Sequence, residues 1–141
     1  MALSMRSRSG LIATWLASQG WSTTAIDVSR YALLSTQLTA RAQNAEVALR
    51  RADGLVGVPH DSVDLIVSNP PFHRGAAKDS TPTFAMIAAA KAALHPGGEL
   101  WLVFNSHLPY LPALRAQVGP TTVEAQDRSF IVTRTLKEPT R

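Results

Sequence analysis

Residues 63–75 have the sequence VDLIVSNPPFHRG, and this stretch indicates both the fold class and the candidate chemistry. Its first six residues form a nearly continuous apolar run, which is typical of a strand buried on both faces of a parallel sheet. The run stops at Asn69-Pro70-Pro71, because proline cannot continue a hydrogen-bonded central strand. Open α/β proteins bind ligands at the carboxyl ends of their strands, so the residues after 68 are candidates for a binding site.

The four residues after this strand are suited to binding a planar amino group. Asn69 offers a side-chain oxygen that accepts a hydrogen bond, and the Pro70 carbonyl can accept a second. Phe72 can stack on a planar group held between them. Two acceptors that draw the hydrogens of a conjugated NH2 out of plane favour its attack on an electrophile. The alternative is a Pro-Pro turn that only ends the strand.

The rest of the chain alternates between helical and strand patterns. Helices are predicted over residues 10–19, 29–43, 82–94 and 109–118. Strands are predicted over 22–28, 46–50, 63–68 and 99–104, with two more inside 121–135. This order predicts an α/β fold with an open, mostly parallel sheet, helices on both faces and an antiparallel C-terminal hairpin. We expect Gly20 to end the first helix, Ser29 to cap the second, and Trp15, Trp21 and Trp101 to lie in the core.

The composition excludes several classes of protein. The 141 residues are 45% hydrophobic and 17% charged, which predicts one globular domain over residues 1–141. The chain has no cysteine and its four histidines show no zinc-type pairing, so we expect neither disulfides nor a metal site. No apolar run approaches the roughly 20 residues needed to cross a bilayer. We therefore expect a cytoplasmic protein with no membrane partner.

The formal charge of +4 weakly favours a polyanionic partner such as nucleic acid. Its excess lies in the first 51 residues, which contain six arginines and two acidic residues. A basic face that contacts only solvent is the more ordinary interpretation of such a bias.

The motif Asn69-Pro70-Pro71-Phe72-His73-x-Gly75 resembles the fourth motif of class I S-adenosylmethionine-dependent methyltransferases. Its form is that of the ribosomal RNA guanine-N2 methyltransferases of the small-domain superfamily. The resemblance extends over most of the chain and includes residues 25–29, 52–53, 94–100, 105–110 and the C-terminal hairpin. The Asn-Pro-Pro-aromatic core alone is shared with adenine-N6 and protein glutamine-N5 methyltransferases. The His-x-Gly extension and the later segments are similar to the guanine enzymes.

This resemblance implies S-adenosylmethionine as cofactor, ribosomal RNA as partner, and a Rossmann-like methyltransferase sheet. Asn69 and the Pro70 carbonyl would be the catalytic groups that bind the guanine amine. The implied substrate-binding residues are Pro71, Phe72, His73 and Arg74, and Lys78 would join Arg74 in holding RNA phosphate. For His73 an ordinary structural role in the loop is the stronger alternative. The implied cofactor-binding residues are Gly10, Asp27, Asp53 and Asn69.

The two acidic residues in that set have distinct implied roles and distinct alternatives. Asp27 lies 17 positions after Gly10, close to the roughly 20 expected between a glycine turn and an acid that hydrogen-bonds a ribose. Asp27 would take the ribose hydroxyls of the cofactor, and Asp53 its adenine amino group. Asp27 is otherwise an exposed acid near the start of a helix, and Asp53 an ordinary turn residue before glycine.

The family's first strand and its glycine-rich loop have no evident counterpart in residues 1–9. Gly10-Leu11-Ile12-Ala13 is similar to the end of that loop, but no glycine precedes it. We therefore expect the first strand to be missing, residues 1–9 to be irregular or disordered, and the chain to be an N-terminally incomplete methyltransferase with weakened or lost cofactor binding. The alternative is an improvised strand from Met1-Ala2-Leu3.

The leading functional interpretation is an N-methyltransferase for guanine N2 of ribosomal RNA that needs no metal. Two alternatives stay open: a protein or small-molecule N-methyltransferase with the same amine grip, and a catalytically silent RNA-binding remnant. A nicotinamide dehydrogenase is disfavoured, because its glycine fingerprint is absent.

Overall fold

The computed structural model describes residues 1–5, 10–69, 81–106 and 108–139. The strands in these ranges are β1 (Ala2–Met5), β2 (Thr23–Asp27), β3 (Val47–Arg51), β4 (Val63–Ser68), β5 (Leu94–Asn105), β6 (Thr121–Gln126) and β7 (Phe130–Leu136). The helices are α1 (Leu11–Ser18), α2 (Arg30–Ala42), α3 (Thr81–Ala93) and α4 (Tyr110–Gln117).

All of these strands belong to one sheet with the order β3-β2-β1-β4-β5-β7-β6. β1 to β5 run parallel to one another, and β7 pairs antiparallel with both β5 and β6. The chain runs from β1 to β3 in one direction across the sheet and from β4 onward in the other. The prediction of a mostly parallel α/β sheet with an antiparallel C-terminal hairpin is confirmed. The boundary between β1 and β4 is the switch point at which such sheets bind ligands.

β1 is an interior strand formed by residues for which a strand, from Met1-Ala2-Leu3, was only the alternative prediction. Residues 2–5 are each at most 2% exposed. They pair with residues 23–26 of β2 on one edge and with residues 65–68 of β4 on the other. The expectation of a missing first strand and an irregular segment 1–9 is therefore wrong for residues 2–5. Four residues are too few to show a periodicity, and pairing on both edges imposes the strand despite weak local preference.

Helices cover both faces of the sheet, and alternate residues of β1 face different helices. Leu3 and Met5 share the larger buried cluster with Ile87 of α3 and Leu114 of α4. Ala2 belongs to a smaller cluster on the opposite face, together with Leu16 of α1 and Leu65 of β4. The two clusters hold β1 between the helix layers.

Helices α1 and α2 turn several large apolar side chains outward. Trp15 is 61% exposed and Trp21 is 38% exposed, so the expectation that both lie in the core is wrong. Trp101 packs against the smaller cluster as expected. The exposed side chains of α2 are Tyr31, Leu34 and Leu38, and its buried ones are Leu33, Thr36 and Ala40. The helices approach each other and the sheet largely through small residues, which leaves the larger side chains outside.

Two predicted helix boundaries are confirmed. Gly20 follows α1 with a φ of 92°, and its N–H donates to the Ala17 carbonyl at 3.1 Å. The Ser29 hydroxyl accepts a hydrogen bond from the Ala32 N–H at 3.2 Å and so caps α2. By contrast, β5 begins at Leu94 rather than at residue 99, because the chain pairs with β4 there through a register irregularity opposite Val63–Leu65.

Lys137 connects three segments at the amino end of the sheet. Its side chain is 7% exposed, and Nζ donates to Asp61 Oδ1 at 2.9 Å and to the Leu94 carbonyl. The hydrogen bond and the positive charge of Lys137 lower the pKa of Asp61 below its usual value of 3.8. The residue after β7 is thereby joined to the segment before β4 and to the start of β5.

Replacing this lysine tests the connection. Lys137→Met is expected to lower the free energy of unfolding at pH 7 by about 1–3 kcal/mol, because the buried Leu94 carbonyl loses its donor. The Asp61 ion pair contributes above its unfolded-state pKa of about 3.9, and that contribution is lost as the pH falls through the lower folded-state pKa. The difference between wild type and variant should therefore narrow below about pH 4. Denaturant titrations at neutral and acidic pH measure both effects, and an identical difference at both would contradict the role of the ion pair.

Candidate functional site

The candidate site lies at the carboxyl ends of three adjacent strands. Met5, the last residue of β1, is paired with Ile26 of β2 and with Ser68 of β4. Asp27 and Asn69 each follow one of these partners directly, so they flank the end of β1 from opposite sides. Two strand spacings, about 10 Å, separate β2 from β4. The topology thus brings together two residues that are 42 positions apart in the sequence.

A small pocket opens on the β2 side of this edge. Its lining residues are Met5, Ile26, Asp27, Val28, Ala52 and Gly54. They come from the ends of β1 and β2 and from the turn after β3. The lining is apolar except for the Asp27 carboxylate and backbone groups. The lining therefore offers apolar surface and one carboxylate, which can accept hydrogen bonds.

Asp27 is held in a defined orientation. Its Oδ1 accepts a hydrogen bond from the Ser29 N–H at 2.9 Å, and its carbonyl accepts one from the Ala52 N–H at 3.1 Å. The side chain is half-buried, and its second carboxylate oxygen, Oδ2, is of a type that accepts hydrogen bonds from a ligand. The contact with Ser29 also connects the carboxylate to the residue that caps α2.

Asp53 lies between two of the pocket-lining residues. It is exposed, in the turn between Ala52 and Gly54, and Gly54 has a φ of 61°. This placement agrees with the ordinary turn interpretation. Both neighbours of Asp53 in the sequence, Ala52 and Gly54, line the pocket.

Gly10 serves the packing of α1 against α2. It precedes α1 with a φ of 71°, is buried, and its carbonyl accepts a hydrogen bond from the Thr14 N–H at 2.9 Å. A Cβ at this position would lie 2.5 Å from the Thr36 Cα of α2. Gly10 is outside the pocket lining, so the geometry gives it a structural reason to be glycine that the sequence did not indicate.

Gly10→Ala is expected to lower the free energy of unfolding by about 2–4 kcal/mol, because the left-handed backbone and the overlap with Thr36 both penalise a side chain. Gly20→Ala is the matched control. Its φ is also positive at 92°, but an added Cβ would meet nothing within 4 Å. The control should lose only about 1 kcal/mol. Denaturant unfolding compares the two, and equal losses would contradict the packing role of Gly10.

Asn69 is exposed immediately after the buried end of β4. Its predecessor Ser68 is 1% exposed, and within the described ranges the Ser68 hydroxyl has no hydrogen-bond partner. The expected substrate residues Pro70, Pro71, Phe72, His73 and Arg74, and also Lys78, lie outside the described residues. The structure therefore places the first residue of the motif at the switch point.

Sequence reasoning did not single out most of the pocket. Met5, Ile26, Val28, Ala52 and Gly54 all line it, yet none was a candidate. Their common signal is position, since each lies at the carboxyl end of a strand or just beyond it. Apolar identity alone does not separate such residues from those of the core.

The described ranges contain neither a cluster of metal-binding side chains nor a membrane-spanning helix. No group of three or more histidine, cysteine, aspartate or glutamate side chains there could hold a metal ion. Within the same ranges, every helix is too short or too polar to cross a lipid bilayer.

Proteins of similar sequence are ribosomal RNA methyltransferases. Ribosomal RNA large subunit methyltransferase G of Streptomyces coelicolor is 42% identical over 114 residues, which cover 79% of this chain and 30% of that protein. Ribosomal RNA small subunit methyltransferase C of Chromohalobacter salexigens is 38% identical over 128 residues, which cover 91% of this chain and 38% of that protein. The chain thus spans about a third of the length of these relatives.

A solved structure has the same fold. The T. thermophilus 16S rRNA N2 G1207 methyltransferase, in complex with AdoMet and guanosine, superposes with a TM-score of 0.83 at 26% identity. The match covers 97% of this chain and 37% of that chain.

The family assignment rests on the extent of the match. The model of the methyltransferase small domain family matches residues 4–134, from within β1 to within β7. This range contains the pocket and the Asn-Pro-Pro-Phe motif, and the resemblance noted from the sequence is confirmed. The chain belongs to the methyltransferase small domain family.

Proposed function

We propose that the chain is a single S-adenosylmethionine-dependent methyltransferase domain that methylates an exocyclic amine, guanine N2 of ribosomal RNA. The observation that carries this proposal is the position of Asn69. It follows the buried strand β4 at the switch point, across β1 from the Asp27 pocket. A cofactor on the β2 side and an amine held at Asn69 would meet above the end of β1.

The residues of the pocket fit the adenosyl part of the cofactor. Asp27 has a fixed carboxylate that can accept from two adjacent ribose hydroxyls. Ile26, Val28 and Ala52 offer apolar surface to the adenine ring. Asp53, between the lining residues Ala52 and Gly54, would accept a hydrogen bond from the adenine amino group. Gly10 and Asn69 would border the methionine part. Cofactor binding by this chain is therefore expected, because β1 supplies the central strand.

The proposed binding of the guanine amine follows from the chemistry of the Asn-Pro-Pro-Phe motif. The Asn69 side-chain oxygen and the Pro70 carbonyl would each accept one hydrogen of the guanine amine, which aligns the nitrogen lone pair for attack. Phe72 would stack on the base, and Pro71, His73 and Arg74 would contact it or its phosphates. The cofactor, when bound, supplies an electrophilic methyl group on a sulfonium. Much of the rate would come from holding nitrogen and methyl in line.

Ribosomal RNA is the proposed substrate because the two relatives described above are ribosomal RNA methyltransferases. A guanine must leave its stack to reach a pocket of this kind, so unpaired or partly assembled RNA is a better target than a regular duplex. The formal charge of +4, with Arg74 and Lys78 beside the motif, suits a polyanion. A ribosomal RNA substrate also implies a cytoplasmic location and no membrane partner.

The test is methyl transfer from labelled S-adenosylmethionine to separate RNA and protein substrates. Ribosomal RNA transcribed in vitro, which carries no modification, should be labelled by the chain, whereas ribosomal proteins should not. Label only in protein would favour the protein N-methyltransferase alternative. RNA binding that weakens with salt, without detectable cofactor binding, would favour the silent RNA-binding alternative.

A further inference from the structure

Two consecutive arginines end the edge strand beside the pocket. Arg50 and Arg51 are the last residues of β3, and they lie opposite Ile26 and Asp27 of β2. Because successive side chains of a strand point to opposite faces, the two arginines leave the sheet on different sides. On each side, a loop that lines the pocket leaves the sheet as well.

Arg51 contacts the loop between β2 and α2. Its Nε donates a hydrogen bond to the Val28 carbonyl at 3.0 Å. Val28 lines the pocket, and it lies between Asp27 and the Ser29 N–H that orients the Asp27 carboxylate. This single contact therefore restrains the segment that carries both an apolar wall and the acidic group of the pocket.

Arg50 contacts the loop between β3 and β4. Its Nη2 donates to the Val56 carbonyl, two residues beyond the pocket-lining Gly54. Gly57 leaves the room that the guanidinium occupies, since a Cβ there would lie 2.5 Å from Nη2. The same loop is anchored from below by Leu55, which is 8% exposed and belongs to the larger buried cluster.

We propose that Arg50 and Arg51 are positioning residues for S-adenosylmethionine, each holding one wall of the adenosyl pocket through a backbone carbonyl. This inference rests on the proposed function of the pocket. Among the described strands β3 is at the edge of the sheet, so no described strand supports either loop on that side. A general role of the two positive charges in attracting RNA is the competing explanation, and it makes a different prediction for lysine substitutions.

The experiment compares Arg50→Met, Arg51→Met and the double variant with Arg41→Met. Arg41 is an exposed arginine in the last turn of α2, near the amino ends of β2 and β3, whereas the pocket lies at the carboxyl ends of the strands. Its substitution therefore removes the same charge away from the pocket. Amide hydrogen exchange of the free protein measures the loops directly. Arg51→Met should speed exchange in residues 28–30, and Arg50→Met in residues 54–58, while Arg41→Met changes neither segment.

Calorimetric titration with S-adenosylmethionine measures the consequence for binding. Loss of one such hydrogen bond should raise Kd about threefold to tenfold, and the double variant should combine the two losses. In turnover, the KM for the cofactor should rise while kcat at saturation stays within about twofold, as expected for a loss of ground-state binding. Arg50→Lys and Arg51→Lys keep a donor and should fall between wild type and the methionine variants.

The outcomes separate this inference from the proposed function. Unchanged exchange in both loops, or faster exchange with an unchanged Kd, would overturn the positioning role while wild-type binding still supports the pocket assignment. Equal weakening by Arg41→Met, or full affinity in the lysine variants without recovery of slow exchange, would assign the effect to charge and overturn the inference. Absence of S-adenosylmethionine binding by the wild-type chain would overturn the proposed function and the cofactor role of both arginines together.

Discussion

Replacing Asn69 with alanine is expected to lower kcat for methyl transfer about 100-fold to 1,000-fold, which is typical for removal of one preorganised hydrogen bond at a reacting group. The Asn69 side-chain oxygen is the acceptor that we place on the guanine amine. Because Asn69 is exposed, the substitution should change the free energy of unfolding by less than about 0.5 kcal/mol. The measurement is single-turnover methyl transfer at saturating cofactor and RNA.

Gln43→Ala is the matched control for this variant. Gln43 is an exposed amide at the end of α2, which leads into the amino end of β3, whereas Asn69 follows the carboxyl end of β4. Its removal should leave kcat within about twofold of wild type, since surface substitutions away from a site have small effects. A similar kcat for Asn69→Ala and wild type would contradict the proposal that the Asn69 side chain binds the guanine amine.

Asp27→Asn is expected to raise the Kd for S-adenosylmethionine about tenfold to 100-fold, because hydrogen bonds to a charged acceptor contribute about 1.5–3 kcal/mol. In the wild type, the Ser29 N–H donates to Asp27 Oδ1. The asparagine side chain keeps an oxygen that can accept this hydrogen bond, so the turn before α2 should be preserved. Calorimetric titration measures the affinity, and thermal unfolding without cofactor checks that the fold is intact.

Glu46→Gln provides the charge control for this second prediction. Glu46 is exposed just before β3, at the amino edge of the sheet, and is far from the pocket along the strand. The Glu46→Gln substitution removes one negative charge and leaves the residues that line the pocket unchanged. If both variants weakened cofactor binding equally, the effect would be a general one of net charge, and Asp27 would not be a ribose contact.

The parts of the fold that sequence reasoning predicted are those whose signals are local. The apolar run of β4 and the abrupt Asn69-Pro70-Pro71 after it are visible without any tertiary information. The cap of α2 is likewise a local matter, since Ser29 bonds to a residue three positions away. The alternation of helices and strands then restricts the topology to a few arrangements, of which the doubly wound sheet is the ordinary one.

β1 could not be predicted because its stability comes from its neighbours. Residues 2–5 include no β-branched side chain, and they form a strand only because β2 and β4 offer hydrogen bonds on both edges. That strand changes the functional expectation. With β1 present, the sheet has the Met5 end against which the pocket forms, which removes one of the two reasons for the predicted loss of cofactor binding. The other reason, the missing glycine-rich loop, concerns residues 6–9, which lie outside the described residues.

The exposure of Trp15, which was predicted to lie in the core, has a related reason. In α2, Leu34 and Leu38 have the spacing of one helix face and are likewise exposed. The buried side of α2 is instead marked by Thr36, which lies against Gly10 at the start of α1. Close approach of two helices requires small residues at the contact, and the periodicity of hydrophobic residues does not identify them.

The central claim is that the chain transfers a methyl group to guanine N2 of ribosomal RNA. The most direct test incubates the wild-type chain with S-adenosylmethionine and unmodified ribosomal RNA transcripts, digests the RNA to nucleosides, and identifies the product by mass spectrometry. The expected product is N2-methylguanosine, and Asn69→Ala should form it at least about 100-fold more slowly. A methylated adenosine, or no methylated nucleoside while S-adenosylmethionine binds the chain, would contradict the central claim.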